Sequence, residues 1–131
     1  MRVLLDTHVL LWALAQPHRL DEETRATIES GASEVLFSVA SIWEIAVKAR
    51  LGRADFTVKP GEIARTAIDV GFVELVIRSD AASLVAELPL YHRDPFDRVL
   101  VAQAMVEPAT LYTADDRLVR YSELVRRVAA D

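Results

Sequence analysis

The stretch Val3-Leu4-Leu5-Asp6 dominates the fold prediction, because three consecutive apolar residues are followed at once by a carboxylate. A short continuous apolar run is typical of a strand that is buried on both faces of a sheet. Strands that alternate with helices predict an α/β fold with one parallel sheet covered on both faces. The other predicted strands are residues 35–37, 72–77 and 110–113, and the intervening helical patterns are residues 7–15, 21–30, 38 or 41 to 51, 60–71, 79–88 and 94–106.

Capping and stop residues mark the ends of several predicted helices. Asp21 can cap the second helix, and Gly31 is its stop signal. Either Ser38 or Ser41 can cap the third helix, which ends before Gly52. The segment after the last predicted strand is expected to form a short helix or a strand with a charged end.

The length and composition indicate one globular domain. The chain has 131 residues, of which 52% are hydrophobic and 27% are charged, and it contains no cysteine. This length fits a single hydrophobic core, so we expect one domain over residues 1–131. The lack of cysteine excludes a disulfide scaffold, a zinc–thiolate site and a thiol nucleophile, and the expected location is the reducing cytoplasm.

The N-terminal segment imitates a secretory signal, but its charged and polar residues argue against one. Asp6 and His8 interrupt the apolar region, and an unpaired charge there opposes membrane insertion. The longest clean apolar run, residues 9–15, is far shorter than the roughly 20 residues that span a bilayer. We therefore expect no membrane partner.

The charge balance is acidic, with a formal net charge of −5 from 15 Lys and Arg against 20 Asp and Glu. Affinity for nucleic acids comes largely from Lys and Arg that displace counterions from phosphates. The balance therefore argues against RNA or DNA as a partner unless metal ions occupy some of the acids. Two divalent ions would add about +4 locally.

Acidic residues from four separate stretches are predicted to meet at one edge of the sheet. In an open parallel sheet, ligands bind beyond the carboxyl ends of the strands, where loops and helix starts converge. Carboxylates crowded together there repel one another unless a cation lies among them. Oxygen-only ligands favour Mg²⁺ or Mn²⁺, which commonly bind substrate phosphates, so the pattern indicates phosphoryl chemistry. The residues are Asp6, Glu44, Asp94, Asp97, Asp115 and Asp116.

Each of these acids also has a structural interpretation. The aspartates can cap helices or favour a helix dipole. Glu44 fits a capping box with Ser41 and an i,i+4 ion pair with Lys48. Arg98, which follows Asp97, can hold a polynucleotide backbone or form ordinary ion pairs. Only the convergence of the acids favours the functional interpretation.

Several familiar sites are absent from the sequence. The three histidines lack the H-x-x-x-H spacing of a zinc site. No dinucleotide-binding, P-loop or serine-hydrolase motif is present. Trp12 and Trp43 have apolar neighbours in sequence, so we expect both in the core rather than on a surface that stacks nucleobases.

Four stretches of the sequence, in this order and at this spacing, resemble the PIN domain and, more narrowly, the VapC-type toxins of bacterial toxin–antitoxin pairs. The resemblance covers essentially the whole chain, and the third stretch is its most specific part. The stretches are residues 3–8 (VLLDTH), 38–46 (SVASIWEIA), 92–98 (HRDPFDR) and 113–116 (TADD).

The resemblance implies an α/β/α sandwich with a central parallel sheet and an endoribonuclease that depends on Mg²⁺ or Mn²⁺. It also implies a homodimer and neutralisation by a cognate antitoxin that inserts near the active site. Thr7 could support Asp6 through its hydroxyl. Asp94 is an alternative to Asp97 as the third acid, and Asp116 is an alternative to Asp115 as the fourth. The residues that match the acidic quartet of the family, as metal ligands and catalytic residues, are Asp6, Glu44, Asp97 and Asp115.

Two other functions remain open from the sequence. A phosphatase or phosphotransferase with an aspartyl nucleophile would also place an aspartate after the first strand. The haloacid-dehalogenase pattern has a second aspartate two residues later, where this chain has His8. A catalytically inactive PIN-like binding module is the other alternative, although the presence of all four acids argues against it.

Overall fold

A computed structural model describes residues 1–128 and shows a five-stranded sheet flanked by helices. The strands are β1 (Arg2–Leu5), β2 (Glu34–Ser38), β3 (Val73–Leu75), β4 (Thr110–Thr113) and β5 (Val125–Arg127). The helices are α1 (Thr7–Ala15), α2 (Glu22–Glu29), α3 (Val39–Arg50), α4 (Pro60–Asp69), α5 (Ser79–Leu84), α6 (Pro95–Val106) and α7 (Asp116–Val119). Single 3₁₀ turns occupy Pro17–Arg19 and Val85–Glu87.

The central strand of the sheet is β1, and all strand pairings are parallel. The strand order is β3-β2-β1-β4-β5. Leu4 of β1 lies in register with Leu36 of β2 and Leu111 of β4. The chain thus moves outward from β1 in two opposite directions, which opens a crevice at the carboxyl ends of β1 and β4.

Alternate residues of β1 pack on opposite faces of the sheet. Leu4 joins a buried cluster that includes residues of α5 and α6, whereas Val3 and Leu5 join a second cluster with residues of α1 and α4. All three side chains are fully buried. This arrangement confirms the predicted three-layer α/β/α sandwich, because both faces of the sheet are covered by helices.

Side-chain oxygens cap the helices that start near the sheet edge. Asp21 accepts a hydrogen bond from the backbone N–H of Thr24, as its position predicts. Ser38, rather than Ser41, caps α3. This choice matters for the site, because it moves Glu44 from the first turn of α3 to the second.

The structure differs from the sequence-based expectations in four places. The third strand is shorter than predicted, and the segment after β4 forms both a helix and a strand. Helix α5 ends at Leu84 and continues as a 3₁₀ turn. The prediction that Trp43 lies in the core is wrong, because its side chain is 58% exposed and meets the ring of Phe96 edge-on. Among residues 1–128, no helix combines the length and apolarity needed to cross a bilayer.

Candidate functional site

An open cleft of about 570 Å³ lies at the carboxyl ends of β1 and β4. All six acids singled out from the sequence line it, so the predicted convergence is observed. Three basic residues and two histidines complete its polar wall. The polar residues that line the cleft are Asp6, His8, Glu44, Lys48, Arg53, His92, Asp94, Asp97, Asp115, Asp116 and Arg117.

Asp6 caps α1 and is held by hydrogen bonds at both of its carboxylate oxygens. Its Oδ1 accepts from the backbone N–H of Val9 at 2.8 Å. Its Oδ2 accepts from the hydroxyl of Thr113 at 2.6 Å and from the backbone N–H of Ala114 at 3.3 Å. Burial raises the pKa of Asp6 above its ordinary value, although these hydrogen bonds act in the opposite direction.

The hydroxyl that supports Asp6 is therefore that of Thr113, and the sequence-based assignment of this role to Thr7 is not what the structure shows. Thr7 instead donates to Glu44 Oε1 at 2.5 Å and lies 3.0 Å from the hydroxyl oxygen of Ser41. Thr7 thus orients the second acid of the quartet rather than the first.

Glu44 is buried, and its second carboxylate oxygen pairs with Lys48 one turn later. The ammonium group of Lys48 also lies 3.2 Å from Asp94 Oδ2. Burial alone would lower the pKa of Lys48, but its hydrogen bonds and charge interactions with Glu44 and Asp94 raise it above the ordinary value. Lys48 is thus a fixed positive charge within the acidic cleft, which the sequence analysis treated only as an i,i+4 partner.

Asp97 lies in the first turn of α6, where its carboxylate enters the cleft. Burial, which is the largest cause, and the negative charges of Asp94, Glu44 and Asp6 together raise its pKa to about 8. Its Oδ2 lies 3.2 Å from His92 Nε2. A carboxyl group that resists ionisation because other carboxylates surround it is a position where a bound cation would relieve the repulsion.

Asp94 has a structural role at the start of α6. Its Oδ1 accepts a hydrogen bond from the backbone N–H of Phe96 at 2.9 Å and so caps α6. Its Oδ2 lies 3.2 Å from the ammonium group of Lys48. Both oxygens therefore have partners, which distinguishes Asp94 from Asp97.

Asp115 and Asp116 have different surroundings, although they are adjacent in sequence. Asp115 caps α7 and forms an ion pair with Arg117, with 2.8 Å between Oδ2 and Nη2. The hydrogen bond from Arg117 is the main reason that the pKa of Asp115 falls to about 2. The carboxylate of Asp116 is 81% exposed and lies 3.1 Å from Arg127 Nε.

His92 is a site residue that the sequence analysis missed, since it considered the histidines only as zinc ligands. The side chain is buried, and its Nε2 lies 3.0 Å from Asp115 Oδ2 as well as 3.2 Å from Asp97 Oδ2. The available signal was its place in the stretch HRDPFDR, five residues before Asp97.

Arg98 does not have the role of phosphate contact considered from the sequence. Its side chain is buried and donates hydrogen bonds to backbone carbonyl groups and to the hydroxyl of Tyr121. The guanidinium group therefore holds the loop before α6 in place and does not face the cleft. The carbonyl oxygens within hydrogen-bond distance belong to Val85, Leu88, Pro89 and His92.

Loss of the Thr113 hydroxyl tests how Asp6 is held. We expect Thr113→Val to reduce divalent-metal affinity by about 10-fold, because an unsupported carboxylate is less well oriented, and to lower stability by about 1–3 kcal/mol. Manganese titration calorimetry and thermal unfolding measure the two effects. Thr110→Val makes the same change at the other end of β4 and should retain wild-type affinity; equal losses in both variants would contradict this role.

Most of the chain matches a known protein family and a known relative. The PIN domain family model matches residues 3–124. The chain is 32% identical over 120 residues to Ribonuclease VapC22 of Mycobacterium tuberculosis (strain ATCC 25618 / H37Rv), and the match covers 88% of both proteins.

Two solved structures share the fold. One is VapBC2 from Rickettsia felis bound to a DNA fragment from their promoter, with a TM-score of 0.68, 14% sequence identity and coverage of 98% of this chain and 99% of that chain. The other is FitAcB from Neisseria gonorrhoeae, with a TM-score of 0.60, 16% identity and coverage of 95% and 96%. Together, the family match across most of the chain, the curated relative and the shared fold show that this chain belongs to the PIN-domain family and, within it, to the VapC type.

Proposed function

We propose that this chain is a metal-dependent endoribonuclease that acts as the toxin of a toxin–antitoxin pair. The observation that carries the proposal is the single cleft in which acids from four separate stretches of sequence meet. The similarity to a protein named as a ribonuclease supports RNA as the substrate class. The phosphodiester bond would be hydrolysed by water rather than through a covalent aspartyl intermediate.

The donor set of the cleft fits a hard divalent cation. Carboxylate oxygens are the ligands that Mg²⁺ and Mn²⁺ prefer, and the raised pKa of Asp97 marks a charge that has no sufficient counterion. A divalent ion bound there would lower the pKa of a water molecule and offset the negative charge of the transition state. The residues that we assign to metal binding are Asp6, Glu44, Asp97 and Asp115.

The contacts of the four acids support different roles within this set. Asp6 and Asp97 are the principal ligands in this proposal, because Asp6 is rigidly oriented and because burial and neighbouring carboxylates raise the pKa of Asp97. Glu44 and Asp115 already pair with cationic side chains, so they would complete the site or orient the water. Asp94 caps α6 and Asp116 is largely exposed beside Arg127, so neither is a principal ligand in this proposal.

Six carboxylates and three basic side chains line the cleft, so an RNA substrate is compatible with its charge when bound divalent cations offset the acids. Lys48, Arg53 and Arg117 line it together with the acids. Arg117 is 65% exposed at its side chain, so its guanidinium can meet a phosphate of the RNA. Bound divalent cations would add to this local positive charge.

Membership of the VapC type also provides the expected partners. We propose that a cognate antitoxin protein neutralises this chain and that the active form is a homodimer. We further propose that it acts in the cytoplasm, where its RNA substrates and a reducing environment suit a chain without cysteine.

Replacing Asp6 tests the proposed function directly. We expect Asp6→Ala to lose RNA cleavage by at least about 100-fold and to abolish growth arrest when the chain is expressed without an antitoxin. End-mapped RNA fragments after induction are the measurement. Asp21→Ala is the matched control, because Asp21 also caps a helix through its carboxylate but lies away from the cleft; equal cleavage by wild type and Asp6→Ala would overturn the proposal.

A further inference from the structure

Both ring nitrogens of His92 have partners that define which of them carries a proton. The backbone N–H of Asp94 donates to His92 Nδ1 at 3.0 Å. On the opposite side of the ring, Nε2 faces Asp115 Oδ2 at 3.0 Å and Asp97 Oδ2 at 3.2 Å. The imidazole is only 8% exposed, so water does not compete freely for these contacts.

The backbone amide decides the tautomer, because a backbone N–H can only donate. The Nδ1 atom of His92 must therefore carry a lone pair, which excludes the Nδ1–H tautomer of the neutral ring. The proton of the neutral imidazole consequently lies on Nε2, which points at the two carboxylates. A protonated ring nitrogen has no lone pair to give to a metal ion.

We propose that His92 is a positioning residue and not a metal ligand. Its Nε2–H donates to Asp97 and Asp115 and fixes the orientation in which these acids present their other oxygens to the cleft. This inference rests on the proposed function of the cleft. It also refines the site, because ligand atoms of the three residues lie within 4.8 Å of one another and would otherwise suggest a mixed nitrogen and oxygen site.

The loop around His92 holds the ring in this orientation. The backbone N–H of His92 donates to the hydroxyl of Tyr121 at 3.0 Å, and its carbonyl oxygen lies 3.4 Å from Arg98 Nη1. With the ring fixed as a donor, the ligands left to a cation are carboxylate oxygens. The site therefore offers no imidazole nitrogen from His92 to cations that bind readily to it, such as Zn²⁺ or Ni²⁺.

Long-range ¹⁵N–¹H correlation spectra of the wild-type protein test the tautomer directly. We expect a protonated Nε2 and an unprotonated Nδ1 for His92, both without metal and at saturating Mg²⁺. A proton on Nδ1, or loss of the Nε2 proton when Mg²⁺ is added, would overturn the proposal. This readout does not depend on catalysis, so RNA cleavage and the tautomer can fail separately.

A pair of variants tests the positioning role. The longer side chain in His92→Gln can place an amide donor near the position of Nε2, whereas the side chain in His92→Asn reaches only the position of Nδ1. We expect His92→Asn to bind Mn²⁺ about 10-fold more weakly than wild type and His92→Gln to stay within about threefold of it. Equal losses in both variants, measured by calorimetry, would contradict a role for the Nε2 donor.

Discussion

Asp97→Asn is expected to stabilise the metal-free protein and to abolish metal-dependent RNA cleavage. The carboxyl group of Asp97 is raised to a pKa of about 8 by burial and by the neighbouring carboxylates. Asparagine has nearly the same shape and no charge to desolvate. We expect a gain of about 2 kcal/mol or more in the free energy of unfolding at pH 8 and a loss of at least about 100-fold in cleavage.

The stability of the metal-free protein should fall as the pH rises toward 8, because Asp97 binds a proton more tightly in the folded state than in the unfolded chain. Between the ordinary value of 3.8 and about 8, the folded protein holds a proton on Asp97 that the unfolded chain has released. The folded state therefore binds more protons, and its stability falls as the pH rises through this interval. The Asp97→Asn variant should lack that part of the decline. Because a bound cation displaces the proton, metal affinity of the wild type should rise toward pH 8.

Thermal unfolding from pH 4 to pH 9 without metal measures the effect on stability. Asp80→Asn is the matched control, since Asp80 also lies in the first turn of a helix but outside the cleft. If Asp97→Asn and Asp80→Asn share one pH profile with the wild type, Asp97 does not carry the repulsion that we assign to it.

Arg98→Met is expected to lower the free energy of unfolding by about 3 kcal/mol or more. The buried guanidinium group donates to Pro89 O at 2.8 Å, Val85 O at 2.9 Å and Leu88 O at 3.1 Å. Methionine fills much of the volume but leaves these carbonyl oxygens without a donor. Arg98→Lys should not restore stability, because a single ammonium group cannot reach all the carbonyl oxygens that lie around the planar guanidinium group.

Arg98→Met should also lower the affinity of the cleft for Mn²⁺, because Arg98 holds the loop that carries His92. Denaturant unfolding and Mn²⁺ titration measure the two effects. Arg93→Met is the matched control, because Arg93 lies in the same stretch with its side chain exposed, and it should change stability by less than about 0.5 kcal/mol. Equal stability of the two variants would show that the hydrogen bonds of Arg98 do not stabilise this loop.

The parts of the fold and site that could be predicted depend on local patterns. The apolar run before Asp6 indicated a buried strand, and the placement of acids after strand ends was enough to predict one acidic edge. The proline after Asp94 located the start of α6 correctly. These features follow from rules for strand burial and helix capping, which operate over a few residues.

The parts that could not be predicted depend on contacts between distant segments. The hydroxyl that supports Asp6 comes from Thr113, 107 residues away, and the adjacent Thr7 turns toward another acid. The exposure of Trp43 depends on which face of α3 meets the sheet, and apolar neighbours in sequence do not determine that face. The burial of Arg98 likewise depends on how the loop before α6 folds back.

Crystals of the wild-type protein grown with Mn²⁺ provide the most direct measurement of the central claim, which is that the acids at the ends of β1 and β4 hold a hard divalent cation. Anomalous scattering at the manganese edge locates such ions without assumptions about the ligands. We expect a peak about 2.1–2.2 Å from carboxylate oxygens of Asp6 and Asp97, and no such peak in Asp6→Ala crystals. A cleft without a manganese peak in wild-type crystals at millimolar Mn²⁺ would contradict the account.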